Sequence, residues 1–227
     1  MSLQIQGNSG VVWDTDGTTF RAGKVVTRPI DYGSGGIYRV SATSGTIAAS
    51  LSAASEVFQF RYVSAASRVA VVYAVSGFHS IIVAVPGAAV ASMYELVVAR
   101  AWTSAGSGGT RLTMTGNNAK MRTSMATSEV NDIGIPTTGA LTAGTKTLDT
   151  QGIGGMSASM GTVGLTSMIT TTLHPKTYFI RGDEGGLCCP LVLANQEGFI
   201  IRNIAAQSTT ATYNVQFEVL WAEVPTF

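Results

Sequence analysis

The run formed by residues 212–224 limits the fold more than any other stretch of the sequence. Large apolar side chains occupy every second position in it: Tyr213, Val215, Phe217, Val219 and Trp221. Successive side chains of a β-strand point to opposite faces, so this period of two predicts a long strand with one buried face. The positions between them are mostly polar, which predicts that the other face is partly solvated.

Several other stretches carry strand signals. Residues 56–63 place Phe58, Phe60 and Tyr62 on one face, and residues 68–75 form a near-continuous apolar run, typical of a central strand covered on both faces. Further strands are predicted at 37–41, 93–102, 177–180, 190–194 and 198–203. Long runs with the helical apolar period are not found. We therefore expect an all-β fold, an antiparallel β-sandwich for which a jelly roll is one candidate topology.

The middle of the chain has a different composition. In residues 112–165, Thr, Gly, Ser, Ala and Met dominate and large apolar side chains are sparse, so this segment cannot form a dense core alone. We expect residues 1–227 to form a single β-rich domain in which 112–165 is a loop-rich or arm-like insertion. The segment is interpreted either as long loops with edge strands or as an extended arm that neighbouring subunits order.

Charge is scarce along the whole chain. Charged residues make up 12% of the sequence and the formal net charge is +1. A surface with so little charge favours association at working pH unless its neutral faces are already buried against copies or partners. The basic residues are spread singly, whereas nucleic-acid binding needs clustered Lys and Arg. We therefore expect a subunit of an assembly that has no nucleic-acid partner.

Signals for export, membrane insertion and disulfide formation are also missing. The first residues show no basic start followed by an apolar run, so a secretory signal peptide is not expected. Polar residues and glycines interrupt the apolar stretch 69–99, which favours buried strands over a membrane-spanning segment. We therefore expect no membrane partner. Cys188 and Cys189 are adjacent, which suits neither an ordinary disulfide nor a zinc site, so we expect reduced core thiols.

The two histidines lack a catalytic spacing. His79 lies in an apolar segment and His174 precedes Pro175, and no Gly-x-Ser-x-Gly elbow accompanies them. A triad that joins one of them to a distant Ser or Cys and a carboxylate stays open at this level. Structural roles are favoured for both.

Two carboxylate pairs flank glycines in predicted turns. Asp14 with Asp16 resembles the start of a calcium loop, but the acidic residue that should close such a loop is absent. Asp183 with Glu184 is the second pair. Turn chemistry is favoured for both, so we predict a protein that is not an enzyme and has no catalytic, metal-binding or cofactor-binding residues.

The glycine-rich and tryptophan residues have structural interpretations too. The glycine-rich stretches 33–36 and 106–109 lack the Gly-Lys-Ser/Thr ending that holds phosphate, and are expected to be flexible connections. Trp13, Trp102 and Trp221 would suit a carbohydrate-stacking platform if they were exposed. Each lies in or at the end of a predicted strand, so a core or interface position is expected.

A family resemblance supplies what these motifs do not. The stretch 190–203, which reads PLVLANQEGFIIRN, and the closing strand that ends in Trp221-Ala222-Glu223 resemble the C-terminal β-sandwich ending of tailed-phage virion proteins. Residues 1–21 and the segment from Ala99 through Asn118 are similar to the same group, so the likeness spans most of the chain. Its motifs are strand and turn patterns and include no catalytic signature.

The resemblance implies a subunit present in many copies on a phage particle. We expect a head decoration, or cement, protein that binds between subunits of the major capsid protein, is made in the host cytoplasm and resides in the virion. A homo-oligomer is expected, with a trimer as the first choice, because closed symmetry buries neutral sheet faces and edges. The alternatives are a tail or tail-fibre component that attaches to the host and, from another class, a secreted hydrolase on a β-sandwich.

Overall fold

The computed structural model describes residues 5–6, 12–13, 36–65, 68–83, 90–160, 172–173, 175–181, 190–209 and 211–225. The chain divides into two compact units, Met1–Asp31 and Tyr32–Phe227. In the first unit, β1 (Ile5–Gln6) pairs antiparallel with β2 (Val12–Trp13). Every regular element in the described residues is a strand, which confirms the predicted all-β class.

The second unit contains thirteen of the described strands. They are β3 (Gly36–Thr43), β4 (Glu56–Tyr62), β5 (Val69–Val83), β6 (Val90–Ser104), β7 (Thr110–Arg111), β8 (Val130–Ile135), β9 (Thr145–Leu148), β10 (Gly154–Met160), β11 (Thr172–Leu173), β12 (Thr177–Arg181), β13 (Leu191–Leu193), β14 (Glu197–Asn203) and β15 (Ala211–Val224). Sheet I has the order β10-β6-β14-β4-β8-β7, with β9 also paired to β6. Sheet II has the order β11-β5-β15-β3, with β12 and β13 also paired to β5. All these pairings are antiparallel, and the two sheets pack face to face as the predicted β-sandwich.

The strand pairing is nested. β3 pairs with β15, β4 with β14, β5 with the β11, β12 and β13 segments, and β6 with β9 and β10. Two further pairings, β15 with β5 and β14 with β6, join these hairpin-like pairs into the two sheets. A long hairpin rolled up in this way is the arrangement of a jelly roll, to which β7 and β8 add two strands at the β4 edge of sheet I.

The interior is built from the faces that the sequence predicted to be buried. Phe58 and Phe60 of β4 meet Phe217 and Trp221 of β15, with ring centroids 5.3 Å apart for Phe58 and Phe217 and 5.2 Å apart for Phe60 and Trp221. All four side chains are fully buried. The predicted buried face of each strand is therefore confirmed. β15 alternates between buried and half-buried residues up to Leu220, whereas in β4 the opposite face is covered as well, since Val57 and Gln59 are also fully buried.

Residues 112–160 form short strands and the loops between them. β8 pairs with β4 and β10 pairs with β6, so this part of the chain extends sheet I at both edges. Ile133, Ile135 and Met156 are buried against the shared core. The segment thus uses the apolar surface of other strands, which offsets its own thin apolar content. That it orders only on contact with neighbouring subunits stays a prediction.

Candidate functional site

A groove of about 400 Å³ lies on the outer face of sheet II. Its polar and aromatic lining includes Arg39, Tyr73, Ser76, Lys176, Tyr178, Arg181 and Glu218. We call this the β5 groove, because Ala74 and Ser76 of β5 lie between residues of β15 on one side and β12 on the other. The volume falls in the range of roughly 300–1,000 Å³ that is usual for ligand pockets.

Strand register explains why charged residues face each other across the groove. One row across the sheet runs from Arg39 on β3 through Leu220 on β15 and Ala74 on β5 to Arg181 on β12. Neighbouring strands lie about 4.8 Å apart, so the two arginine Cα atoms are separated by about 14 Å. The small side chain of Ala74 leaves the space between them open.

Two β-bulges direct the aromatic side chains. Leu220 and Trp221 of β15 pair with Ala74 and Val72 of β5, so the register shifts by one residue at Tyr73. On β12, Tyr178 and Ile180 pair with consecutive positions of β5, so Phe179 is the extra residue there.

The bulge on β12 changes which of its residues share a face. Without it, Tyr178 and Ile180 would point the same way; with it, Tyr178 and Arg181 are both exposed while Phe179 is buried in the core. The bulges therefore build this face of the groove. Tyr73 and Ala74 are partly exposed at this point. The prediction that residues 68–75 are covered on both faces is therefore wrong at these two positions.

Among the described lining residues, one carboxylate lies between cations. Glu218 accepts hydrogen bonds from Lys176 Nζ and from Arg39 Nη2, the latter at 2.9 Å. The hydrogen bond from Lys176, with a further contribution from Arg39, lowers the pKa of Glu218. Glu218 is therefore ionised at neutral pH and holds both cations over the sheet.

The cations also border an exposed aromatic ring. Arg181 Cζ lies 5.1 Å and Lys176 Nζ 5.5 Å from the centroid of the Tyr178 ring, at the distance of cation–π contacts. Tyr178 is 42% exposed, the only large aromatic residue among the exposed apolar side chains of the described residues. The described residues of the lining include three cations and one carboxylate, a formal charge of +2 among them, and this chemistry suits an anionic ligand.

A second charged cluster is closed to solvent. Lys146 Nζ lies 2.9 Å from the Glu56 carboxylate, and the two side chains are 2% and 7% exposed. The Lys146 ammonium also lies 4.4 Å from the centroid of the Trp102 ring. Gln59 Nε2 donates to Glu56 Oε2 at 2.6 Å and Gln59 Oε1 accepts from Arg111 Nη1 at 2.8 Å. Burial lowers the pKa of Lys146, and the ion pair joins β9 to β4.

A buried carboxylate of β15 contacts the loop that precedes β8. Glu223 is fully buried and accepts hydrogen bonds from Ser128 Oγ at 2.6 Å and from the Glu129 backbone N–H at 3.0 Å. Trp221 Nε1 donates to it at 3.2 Å. Burial raises the pKa of Glu223. These contacts tie the loop before β8 to β15, which is a structural role.

The structure places some of the residues that the sequence singled out. His79 is buried, with its Nε2 atom 3.0 Å from Tyr94 Oη and its ring stacked on Tyr213 at 5.4 Å. Trp102 and Trp221 are fully buried, which confirms the core interpretation for these two.

Other singled-out residues lie outside the described residues or side chains. They are Trp13, Asp14, Asp16, His174, Asp183, Glu184, Cys188 and Cys189.

Sequence reasoning did not identify the β5 groove. The available signal was the spacing of Lys176, Tyr178 and Arg181, which places two cations around one aromatic residue. Strict alternation puts Arg181 on the face opposite Tyr178, so only the bulge brings the pair together.

Within the described ranges, no group of three or more His, Cys, Asp or Glu side chains is arranged to hold a metal ion. No helix long and apolar enough to cross a membrane occurs in the same part of the chain. No protein-family model matches the sequence, and no curated protein is significantly similar to it.

Proposed function

We propose that this protein is a non-enzymatic structural subunit of a tailed-phage virion that decorates or cements the capsid by binding between capsid subunits. The β-sandwich supplies a rigid body with two broad sheet faces. The resemblance of residues 190–203 and of the closing strand to tailed-phage virion proteins supports the choice of particle. Host cytoplasm is the expected place of synthesis, and a homo-oligomer, first of all a trimer, is the expected state.

The internal pairing of acidic side chains is the observation that carries the proposal. Seven of the eight acidic residues in the described part of the chain form ion pairs: Glu56, Glu95, Glu129, Asp132, Asp149, Glu197 and Glu218. The eighth, Glu223, is fully buried. In the described part of the chain, little unpaired negative charge is therefore left to repel other proteins, which favours burial of that neutral surface in an assembly.

The first experiment asks whether the chain belongs to particles. Quantitative mass spectrometry of purified virions should find it in a fixed multiple of the portal or capsid copy number, with a host cytosolic protein as the control for contamination. Absence of the chain from purified virions would sink the proposal.

Salt dependence then tests the nature of the contact. Because the described carboxylates are already paired within the chain, the interface should be mostly neutral, and the subunit should stay on the particle in about 1 M NaCl, where the screening length is about 3 Å. A protein held mainly by ion pairs between subunits would dissociate under these conditions. Release in high salt would contradict the neutral interface.

Host attachment as a tail or tail-fibre component is the second candidate function. The β5 groove favours it, because an exposed aromatic ring beside three cations is suited to ligand binding and has no evident use in a neutral capsid contact. Imaging of particles that carry a tagged copy separates the two roles: label on the head supports decoration, and label on the tail supports attachment.

A further inference from the structure

We infer that the β5 groove is a binding site for an acidic saccharide, whose anionic group lies among Arg39, Lys176 and Arg181 while its sugar ring rests against the floor formed by Ala74 and Leu220. The inference deepens the attachment role and adds a ligand class to it. It does not depend on a position on the capsid.

The cations favour an anionic group held by forked hydrogen bonds. Arg39 binds Glu218 through Nη2 alone, and its side chain is 53% exposed, so the remaining guanidinium face is accessible to a ligand. Arginine presents N–H groups in a planar fork that matches the two oxygens of a carboxylate. Lys176, 28% exposed, adds a compact positive charge on the β12 side.

The rest of the lining suits a sugar ring. Ala74 and Leu220 offer small apolar surface, and the partly exposed Tyr178 ring borders it. Glu218 is ionised and anchored by two cations, so its oxygens are fixed acceptors for ligand hydroxyl groups. A sugar ring has apolar C–H faces for the apolar surface and hydroxyl groups that can donate to Glu218. Its one anionic substituent can bind the cations.

Size and charge separate this ligand from larger polyanions. A volume of about 400 Å³ accommodates a short saccharide, and the lining has three cations. Nucleic-acid binding depends on neutralising many phosphates along a track, roughly 6–10 for a strong binder. A track of that length is not present in the groove, so a small ligand with one anionic group is the better match.

The experiment uses the full chain and a disaccharide that contains one uronic acid. Saturation-transfer NMR and calorimetry should show binding that weakens about tenfold or more when the carboxylate of the probe is reduced to an alcohol, because a charge-assisted hydrogen bond is lost. A sulfated disaccharide as a parallel probe tells whether carboxylate or sulfate is preferred. Binding of either one supports the inference.

Matched variants locate the site. Arg181→Gln and Lys176→Gln should each weaken binding about tenfold or more, whereas Arg122→Gln, which removes an exposed cation outside the groove, should leave it unchanged. Circular dichroism checks that each variant is folded, and Tyr178→Phe is a second, milder variant that should retain binding of the anion.

Three results would overturn the inference: no binding of either acidic probe, equal binding by the groove variants, or acetate and an acidic peptide binding as tightly as the saccharides. None of them bears on whether the chain co-purifies with virions, so failure of this inference and failure of the capsid proposal are distinguishable.

Discussion

Replacing Lys146 of β9 with Met removes the cation from its ion pair with Glu56 of β4. The Lys146 side chain is 2% exposed and its Nζ atom lies 2.9 Å from the Glu56 carboxylate, which is itself 7% exposed. Methionine preserves most of the apolar stem that lies over Trp102. The substitution therefore tests the charge and leaves the packing largely in place.

The expected loss of stability follows from the distance and the burial. At 2.9 Å and an effective dielectric constant of about 20, the attraction is about 6 kcal/mol, which offsets a desolvation cost of several kcal/mol for each ion. When one partner of a buried pair is removed, the other keeps its desolvation cost without compensation, and the usual loss is about 3–5 kcal/mol. With a urea m-value of roughly 2–3 kcal/mol/M, the unfolding midpoint should fall by roughly 1–2.5 M.

Urea unfolding followed by tryptophan fluorescence measures this loss. The Lys146→Met, Glu56→Gln double variant should recover about 2 kcal/mol or more of the loss in Lys146→Met, because no buried charge then lacks its partner. Asp149→Asn is the control: it removes an ion pair with Arg100 whose side chains are 39% and 43% exposed, and should cost less than about 1 kcal/mol. A loss below about 1 kcal/mol for Lys146→Met, or strict additivity in the double variant, would refute the reasoning.

Two further predictions concern alkaline pH and proteolysis. Burial raises the pKa of Tyr38 to about 12 and raises that of Tyr213 as well, so the folded chain holds these phenols protonated where the unfolded chain ionises them near 10. The contribution of the two phenols to stability should be constant below that pH and fall as pH rises toward 12, and ultraviolet titration should show phenols that ionise only on unfolding. Normal ionisation of all tyrosines near pH 10 in the folded state would contradict it. Trypsin should cut the free subunit after the exposed Arg122 and not after Lys146, whose side chain is buried. Equal cleavage at both sites, identified by mass spectrometry, would instead support an arm that orders only on assembly.

Local patterns predicted the strands better than their partners. The alternation in residues 212–224 and 56–63 depends only on which side chains are apolar, and both strands were found with the expected face buried. Pairing β15 with both β3 and β5 joins residues separated by more than a hundred positions, for which a single sequence carries no local signal. The β-sandwich was therefore predictable from the sequence, whereas the sequence alone left the jelly roll as one candidate topology.

The β5 groove was not predictable for a related reason. A bulge inserts one residue and exchanges the two faces of a strand from that point on, so the period of two misplaces every later residue. Phe179 has this effect on β12: it enters the core and puts Arg181 beside Tyr178. Neither Phe179 nor the residues beside it indicate a bulge, since the sequence pattern is that of an ordinary strand.

The scarcity of charge and the groove are connected. The whole chain has a formal charge of +1, whereas the described residues that line the groove, with three cations and one carboxylate, sum to +2. Ion pairs elsewhere bring opposite charges together, so their fields largely cancel at a distance and do not compete with the field of the groove. On a surface with so little charge, the groove is therefore a positive site that an approaching anion can meet. Neutralising Lys176 and Arg181 should change ligand capture and leave a neutral assembly interface intact, so one chain can serve both roles through separate surfaces.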